Sequence, residues 1–184
     1  MVVVIACPEL VEGWCENNSS ISEMHFSFDQ FFHSLKYTIM PIIEINWLAI
    51  LIAVVANFFL GFIWYTPLFG KAWAKEMGFD MTQKPPASAM IKGMVIMVIG
   101  NFLLAYVFAH NIAVWDPVTW GQAPSPASPA AFAGTAAFFT WLGFFLPLDL
   151  NSIAWEQKSW KLFFINTGYH LLNLVVVALI LVMM

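Results

Sequence analysis

The chain is poor in charge, has no arginine, and contains no cysteine beyond residue 15. Charged residues make up 10% of its 184 residues, whereas an average soluble domain carries about 25%. All seven basic residues are lysines, so the planar bidentate fork with which arginine reads phosphates and bases is missing. We therefore expect no nucleic-acid partner. Cys7 and Cys15 precede the apolar part of the chain, which removes disulfide, metal–thiolate and thiol-nucleophile chemistry from that part.

Apolar residues take the place of the missing charge, since 61% of the chain is hydrophobic. They come in unbroken runs of about twenty residues, the length that a helix needs to cross a bilayer. A β-barrel, the other form that spans membranes, would need alternating strands of roughly ten residues. The sequence therefore predicts an all-α membrane protein with four transmembrane helices in an antiparallel bundle.

The first run, residues 45–65, carries no charge. As a helix it would span about 31 Å, close to the ~30 Å hydrocarbon core of a bilayer. Aromatic rings with a polar edge favour the membrane–water interface, and such residues stand at both ends of this run. The predicted interface anchors are Trp47, Trp64, Tyr65 and Trp73. Pro67 lacks the amide N–H that a helix interior needs, so we expect the span to end there.

Three further spans are predicted at residues 89–112, 130–148 and 162–184. In the connection at residues 66–88, Phe69, Trp73 and Met77 recur every four positions. That spacing is typical of a short amphipathic helix on the membrane surface.

The other two connections differ in composition. The connection at residues 113–129 contains four prolines, and its run GQAPSPASPA should form an extended, polyproline-like loop. Residues 149–161 should form a polar turn. We expect the acidic side chains of the connections to be solvated; these are Asp116, Asp149 and Glu156.

Residues 1–39 differ from the rest of the chain. They hold five acids and one lysine, whereas from Met40 onward six lysines balance six acids. Their run ACPELVEGW resembles the translation product of a repetitive intergenic DNA element. We expect residues 1–39 to be a leader from a wrongly assigned start, Met40 (or, second, Met24) to be the true start, and residues 40–184 to be the membrane domain. The alternative is an interfacial helix with one apolar face, made of Phe28, Phe31, Phe32, Leu35 and Ile39.

Lysine placement predicts which side of the membrane each connection faces. The connections at 66–88 and 149–161 hold five lysines, and the connection at 113–129 holds none. By the positive-inside rule, the two lysine-bearing connections are cytoplasmic and both chain termini lie outside.

The first span and its exit carry a recognisable pattern. Residues 46–49 read NWLA, Gly61 follows, and residues 64–73 read WYTPLFGKAW. This pattern resembles the opening of a family of bacterial membrane proteins described as domain of unknown function 1761. The resemblance covers residues 40–184 and implies a small four-span, multi-pass protein of the bacterial inner (cell) membrane. It brings no catalytic residue, ligand or substrate to any position of this sequence.

The sequence contains no catalytic, cofactor-binding or metal-binding motif that holds. H-E-x-x-H, G-x-S-x-G and a phosphate-binding glycine loop are all missing, so we expect no cofactor and no enzyme activity. The fourth span has the most polar face, because Asn166, His170 and Asn173 recur at i, i+4 and i+7 with Tyr169 beside them. Such a face must turn into the bundle or toward another subunit.

Polar residues of the other spans fall at a similar depth. Counted along ideal helices, five side chains lie about 12–16 Å from the lysine-bearing ends, which predicts a polar layer at the midplane. Its members are Asn57, Asn101, Thr140, His170 and Asn173. One interpretation is structural, with hydrogen bonds that fix helix register at about 0.6–2 kcal/mol for each contact; the other is a solute site or polar pathway. With no acidic companion in its span, His170 is expected to be neutral.

Small residues predict where helices approach closely. The patterns Ala53-x3-Asn57-x3-Gly61 and Ala130-x3-Gly134 are interpreted as helix-packing faces. His110, at the outer end of the second span, is interpreted as an interfacial residue.

Two functions of different classes fit these features. The first is a non-enzymatic membrane module that acts by assembling with itself or with a partner. The second is an oligomeric permease or channel for a small neutral or weakly basic solute, which needs at least a dimer because four helices enclose little volume. A membrane enzyme ranks third. The expected partners are the lipid bilayer and further copies of the chain.

Overall fold

The computed structural model describes residues 43–79 and 86–184. Four helical segments in these ranges are long and apolar enough to cross a membrane. They are the first span, Trp47–Leu68, the second span, Ala87–Trp115, the third span, Pro129–Ala154, and the fourth span, Trp160–Met183. The prediction of an all-α bundle with four apolar helices is confirmed. The predictions for residues 1–39, for Met40 as the start and for Lys84 lie outside the described residues.

The first span is an α-helix, Trp47–Ile63, followed by a π turn, Trp64–Leu68. The side chain of Asn46 caps its start by accepting a hydrogen bond from the Ala49 N–H at 3.1 Å. Pro67 lies inside the π turn, whose wider ring tolerates a residue that cannot donate to the α-helical ladder. The helix therefore continues past the proline to the next residue instead of stopping at it.

A short helix, Gly70–Glu76, follows in the connection where the sequence predicts an amphipathic helix. Its first residue fits only as glycine, because a Cβ there would lie 2.6 Å from the Tyr65 carbonyl oxygen. The carboxylate of its last residue accepts a 2.6 Å hydrogen bond from the Ser159 hydroxyl and lies 3.9 Å from the Lys161 ammonium group. These contacts tie this connection to the start of the fourth span.

The second span is one uninterrupted helix that starts directly after Pro86. Its four buried residues lie in its C-terminal half and are Asn101, Ala105, Phe108 and Ile112. The N-terminal half, residues 87–100, is exposed except at Met97. A short 3-10 turn, Pro117–Trp120, then opens the connection to the third span, and residues 122–125 are irregular.

The third span is longer than the sequence predicts. It consists of Pro129–Thr140, a π turn at Trp141–Phe145, and a further helix, Leu146–Ala154. The expectation that the span stops at residue 148 is therefore wrong, as is the expectation that the polar turn begins at Asp149. The reason is that Pro147 lies two residues after the π turn, in the first turn of the next helical segment, where its missing N–H costs little.

The fourth span starts at a Ser159 cap, whose hydroxyl accepts from the Leu162 N–H at 3.2 Å. It packs against both the first and the third span. Small side chains make the close approach, because Ala53, Ala133, Ala137 and Ala178 are fully buried in one core cluster.

One of the two predicted packing patterns is confirmed and the other is wrong. Ala53, Asn57 and Gly61 are all buried on one face of the first span. A Cβ added at Gly134, in contrast, would have no neighbour within 4 Å in the described structure. The third span packs through Ala133 and Ala137 instead. Ala133 lies one position before the predicted Gly134.

Candidate functional site

A carboxylate and an imidazole meet between the third and fourth spans. Asp149 Oδ2 lies 2.9 Å from His170 Nδ1, and the aromatic ring of Phe145 packs 5.2 Å from the imidazole ring. The His170 side chain remains 29% exposed and the Asp149 side chain 13%. Two expectations are therefore wrong: Asp149 is not a solvated loop residue, and His170 does have an acidic companion. The physical reason is the helical extension of the third span, which brings Asp149 beside the fourth span.

Tyrosine and asparagine side chains continue this polar surface toward the first span. The Tyr65 hydroxyl donates to Asn166 Oδ1 at 3.2 Å, and the Tyr65 and Tyr169 rings pack edge to face with centroids 5.0 Å apart. The Tyr169 ring in turn lies 5.9 Å from the His170 ring. Together these contacts define one polar cluster, which consists of Tyr65, Asp149, Asn166, Tyr169 and His170.

Two tryptophans brace the fourth span beside the polar cluster. Trp64 Nε1 donates to the Ile165 carbonyl oxygen at 3.0 Å. Trp141 Nε1 lies 3.1 Å from both the carbonyl oxygen and the hydroxyl of Thr167. Both tryptophans are the first residue of a π turn, and such turns are frequent at functional sites. The π turn of the first span and the π turn of the third span thus both contact the same stretch of the fourth span.

The first and fourth spans run antiparallel in a fixed register. Asn46 Nδ2 donates to the Met184 carbonyl oxygen at 3.3 Å, and the Tyr169 hydroxyl lies 3.1 Å from where a Cβ on Gly61 would be. Asn46 and Gly61 are 15 residues apart, and so are Tyr169 and Met184. The first and fourth spans are therefore in step along this length.

That register puts Asn57 and Asn173 at one level, because each lies four residues from the Gly61–Tyr169 contact. Both are buried, with exposed fractions of 0% and 6%. In the part of the chain that the structure describes, both polar side-chain atoms of Asn57 lack a hydrogen-bond partner, and so does the Oδ1 atom of Asn173. The two side chains therefore lie at one level without a hydrogen bond between them in the described structure.

The other members of the predicted layer have different surroundings. Trp47 stacks on Tyr106 at 5.7 Å, and residue counts from this contact put Asn101 about 7 Å nearer than Asn57 to the start of the first span. Asn101 is buried. Thr140 lines a cleft between the second and third spans. The structure thus brings two of the five residues to one level. Asn101 lies at another level, Thr140 lines the cleft, and His170 pairs with Asp149.

The predicted interface anchors differ in their contacts. Trp47 is 56% exposed, whereas Trp64 and Tyr65 are partly buried and hydrogen-bonded to the fourth span. The Trp73 ring packs on Tyr65 at 5.6 Å. His110 is partly buried, with its Nδ1 2.9 Å from the Tyr106 carbonyl oxygen. The anchoring role of these residues stays a prediction.

Sequence reasoning missed two members of the polar cluster, Tyr65 and Asp149. Asn166, Tyr169 and His170 were identifiable because a regular helix repeats its face every three to four residues. Both missed residues lie in or beyond a π turn, which shifts the helical face of everything that follows. The nearest signal was Asp149 itself, a lone acid directly after an apolar run.

Comparison with known proteins supplies a family for this chain. The model of the family described as "Protein of unknown function (DUF1761)" matches residues 48–182. A search of curated proteins and a search of solved structures each found no significant match. The matched segment includes the entire polar cluster and all four spans, except the first residue of the first span and the last residue of the fourth. The chain therefore belongs to the DUF1761 family, and its four apolar helices fit a membrane protein.

Proposed function

We propose that the protein is a non-enzymatic membrane module that acts by assembling with further copies of itself. The observation that carries this proposal is the incomplete burial of the Asp149–His170 pair. Both residues lie within candidate spans, and more than a quarter of the His170 side chain stays exposed. Lipid tails offer no hydrogen bonds to such groups, whereas a second protein surface does.

The composition of the spans supports the same proposal. The second and third spans bury few of their residues inside one copy of the chain, so much of their surface is free for lipid or for another copy. Transmembrane helices associate through small residues and through polar groups that bond across the interface. The polar cluster supplies such groups, with one carboxylate, one imidazole, two phenols and an amide.

We further propose that the lysine-bearing connections face the cytoplasm and that the chain ends lie outside, in a bacterial inner membrane. Lys71 and Lys75 follow the first span, and Lys158 and Lys161 precede the fourth. The Glu76–Ser159 hydrogen bond keeps these two connections side by side, which supports their lying on one side of the membrane. The positive-inside rule then assigns that side.

Counting copies in a bilayer tests the assembly proposal. Fluorescently labelled protein is reconstituted at low density in phosphatidylcholine vesicles, and bleaching steps are counted for each diffraction-limited spot. We expect mostly two or more steps for the wild type, and a shift toward single steps when Asp149→Leu and His170→Leu are combined. The matched control is Thr135→Ala, also in the third span, whose hydroxyl donates to the Ala131 carbonyl oxygen of its own helix. Single steps for the wild type at all densities would contradict the proposal.

A second function, an oligomeric permease or channel, is favoured by one observation. Asp149 contributes a carboxylate that an amine could neutralise, and the tyrosine hydroxyls and the Asn166 amide beside it can orient a polar solute. An assembly that covers the polar cluster from outside would enclose these groups. Flux of a small amine into vesicles, lost in the Asp149→Leu and His170→Leu double variant, would distinguish this function from assembly alone.

A further inference from the structure

A cleft of about 590 Å³ opens between the second and third spans. It is lined by Asn111, Trp115, Phe132, Phe139, Thr140 and Phe144, together with smaller side chains. It shares no residue with the polar cluster and lies wholly between two candidate spans. Its occupant is therefore expected to come from the membrane.

We propose that this cleft binds one acyl chain of a membrane phospholipid, with the head group at the Trp115 end. Its volume falls within the range of about 300–1,000 Å³ that is typical of sites for small molecules. Four of its eight lining residues are aromatic, and aromatic rings contribute large apolar contact areas to a hydrocarbon chain. The chemistry of the lining is therefore that of a tail site.

The size of the cleft argues against a helix from a second copy. Phe132 and Phe144 are twelve positions apart in sequence, so the lined stretch of the third span is about 18 Å long. A helix of ~10 Å diameter would need about 1,400 Å³ over that length. All the empty space between the walls of the cleft amounts to about 1090 Å³, which is less than a whole helix needs, whereas an extended hydrocarbon chain is much thinner than a helix.

The polarity of the lining indicates which end of the cleft holds the lipid head group and which holds the end of the acyl chain. Trp115 is the last residue of the second span, and Asn111 lies one turn before it. Phe132 lies in the first turn of the third span, so one end of the cleft is at the ends of both helices. From there, Phe144 is about 18 Å further along the third span. A head group thus meets an indole and an amide at the interface, while the tail reaches inward along phenylalanine.

The connection between the two spans holds this end of the cleft in place. Trp120 Nε1 donates to the Val114 carbonyl oxygen at 2.8 Å, and Asp116 caps the 3-10 turn by accepting from the Val118 N–H at 3.1 Å. These bonds fold the connection back onto the end of the second span. The cleft mouth is therefore built by local contacts, whatever fills it.

Photolabelling from lipid tests the proposal. The full chain is reconstituted in phosphatidylcholine vesicles that contain a phosphatidylcholine with a diazirine in its acyl chain, and adducts are mapped by peptide mass spectrometry. We expect labelling of Phe139 and Phe144 at least about threefold above that of Phe59, because a chain held in a site of this size stays in contact longer than bulk lipid. Phe59 is a fair reference, since its exposure of 59% is close to the 64% and 65% of the two cleft residues.

A variant that fills the cleft, with a matched control, tests whether the labelling of Phe139 depends on the cleft. Ala136→Phe places a ring in the cleft lining and should lower the labelling of Phe139 to the level of Phe59. Leu103→Phe adds an aromatic ring on an exposed part of the second span and should leave the labelling unchanged. Equal labelling of all three phenylalanines in the wild type would mean unselective lipid contact and would overturn the proposal. This measurement uses the wild type alone, so it does not depend on whether a variant folds. Cross-linking of the cleft to a second copy in place of lipid would also overturn the proposal.

Discussion

At the scale of single residues, the Asp149–His170 pair is the feature with the clearest energetic consequence. Removing one partner of a charge-capable pair in a poorly hydrated site leaves the other without its hydrogen bond, and that loss exceeds the value of the bond itself. The two partners differ in this respect. Most of an imidazole ring is carbon, which an apolar environment tolerates, whereas both outer atoms of a carboxylate are oxygens that need hydrogen-bond donors.

We therefore expect His170→Leu to destabilise the protein more than Asp149→Leu does. The loss for His170→Leu should be about 1–3 kcal/mol in the free energy of unfolding, measured by denaturant titration in detergent micelles or bicelles. The double variant should lose less than the sum of the two single losses, because it strands neither group. Strictly additive losses would mean that the two side chains do not interact.

At the scale of elements, the π turn at Trp141–Phe145 decides which residues of the third span face the fourth. A π turn holds one residue more than the same turn of α-helix, so it rotates the rest of the helix by about 100°. Asp149 lies beyond this turn, and Trp141, whose indole bonds Thr167, lies at the start of the turn. The pairing with His170 depends on that extra residue.

Deletion of Gly143 should convert the π turn into a regular helix and carry Asp149 away from His170. We expect a loss of stability at least as large as that of Asp149→Leu, and little further loss when Asp149→Leu is added to the deletion. Gly143→Ala is the control, because a Cβ there meets no described atom within 4 Å. A deletion variant whose stability equals that of Gly143→Ala would contradict this account of the turn.

Some features of the helices could be predicted from the sequence, and others could not. The existence of four apolar helices and the polar face of the fourth span follow from run length and from a period of 3.6 residues. The length of the third span does not, since Pro147 and Asp149 together indicate an end to an apolar helix. Asp149 and Tyr65 were missed because neither π turn has a signature in the sequence, and tertiary contacts from Trp64 and Trp141 accompany both turns.

At the scale of the whole molecule, the account requires a defined orientation in the membrane. In a chain with Cys7→Ser and Cys15→Ser, a cysteine at Ser125 should react with an impermeant thiol reagent added outside intact cells. A cysteine at Glu156 should react only after the membrane is opened, because its connection carries two lysines. The reverse pattern would contradict the orientation.

We expect a second copy, and not lipid, to cover the exposed edge of His170. Phe145 packs directly on this imidazole, so a photoreactive p-benzoylphenylalanine in its place reports what lies there, with the same group at Phe59 in the first span as the control. After irradiation in native membranes, we predict a covalent dimer from position 145 and none from position 59. Lipid adducts on single chains from position 145, with no covalent dimer, would contradict the claim.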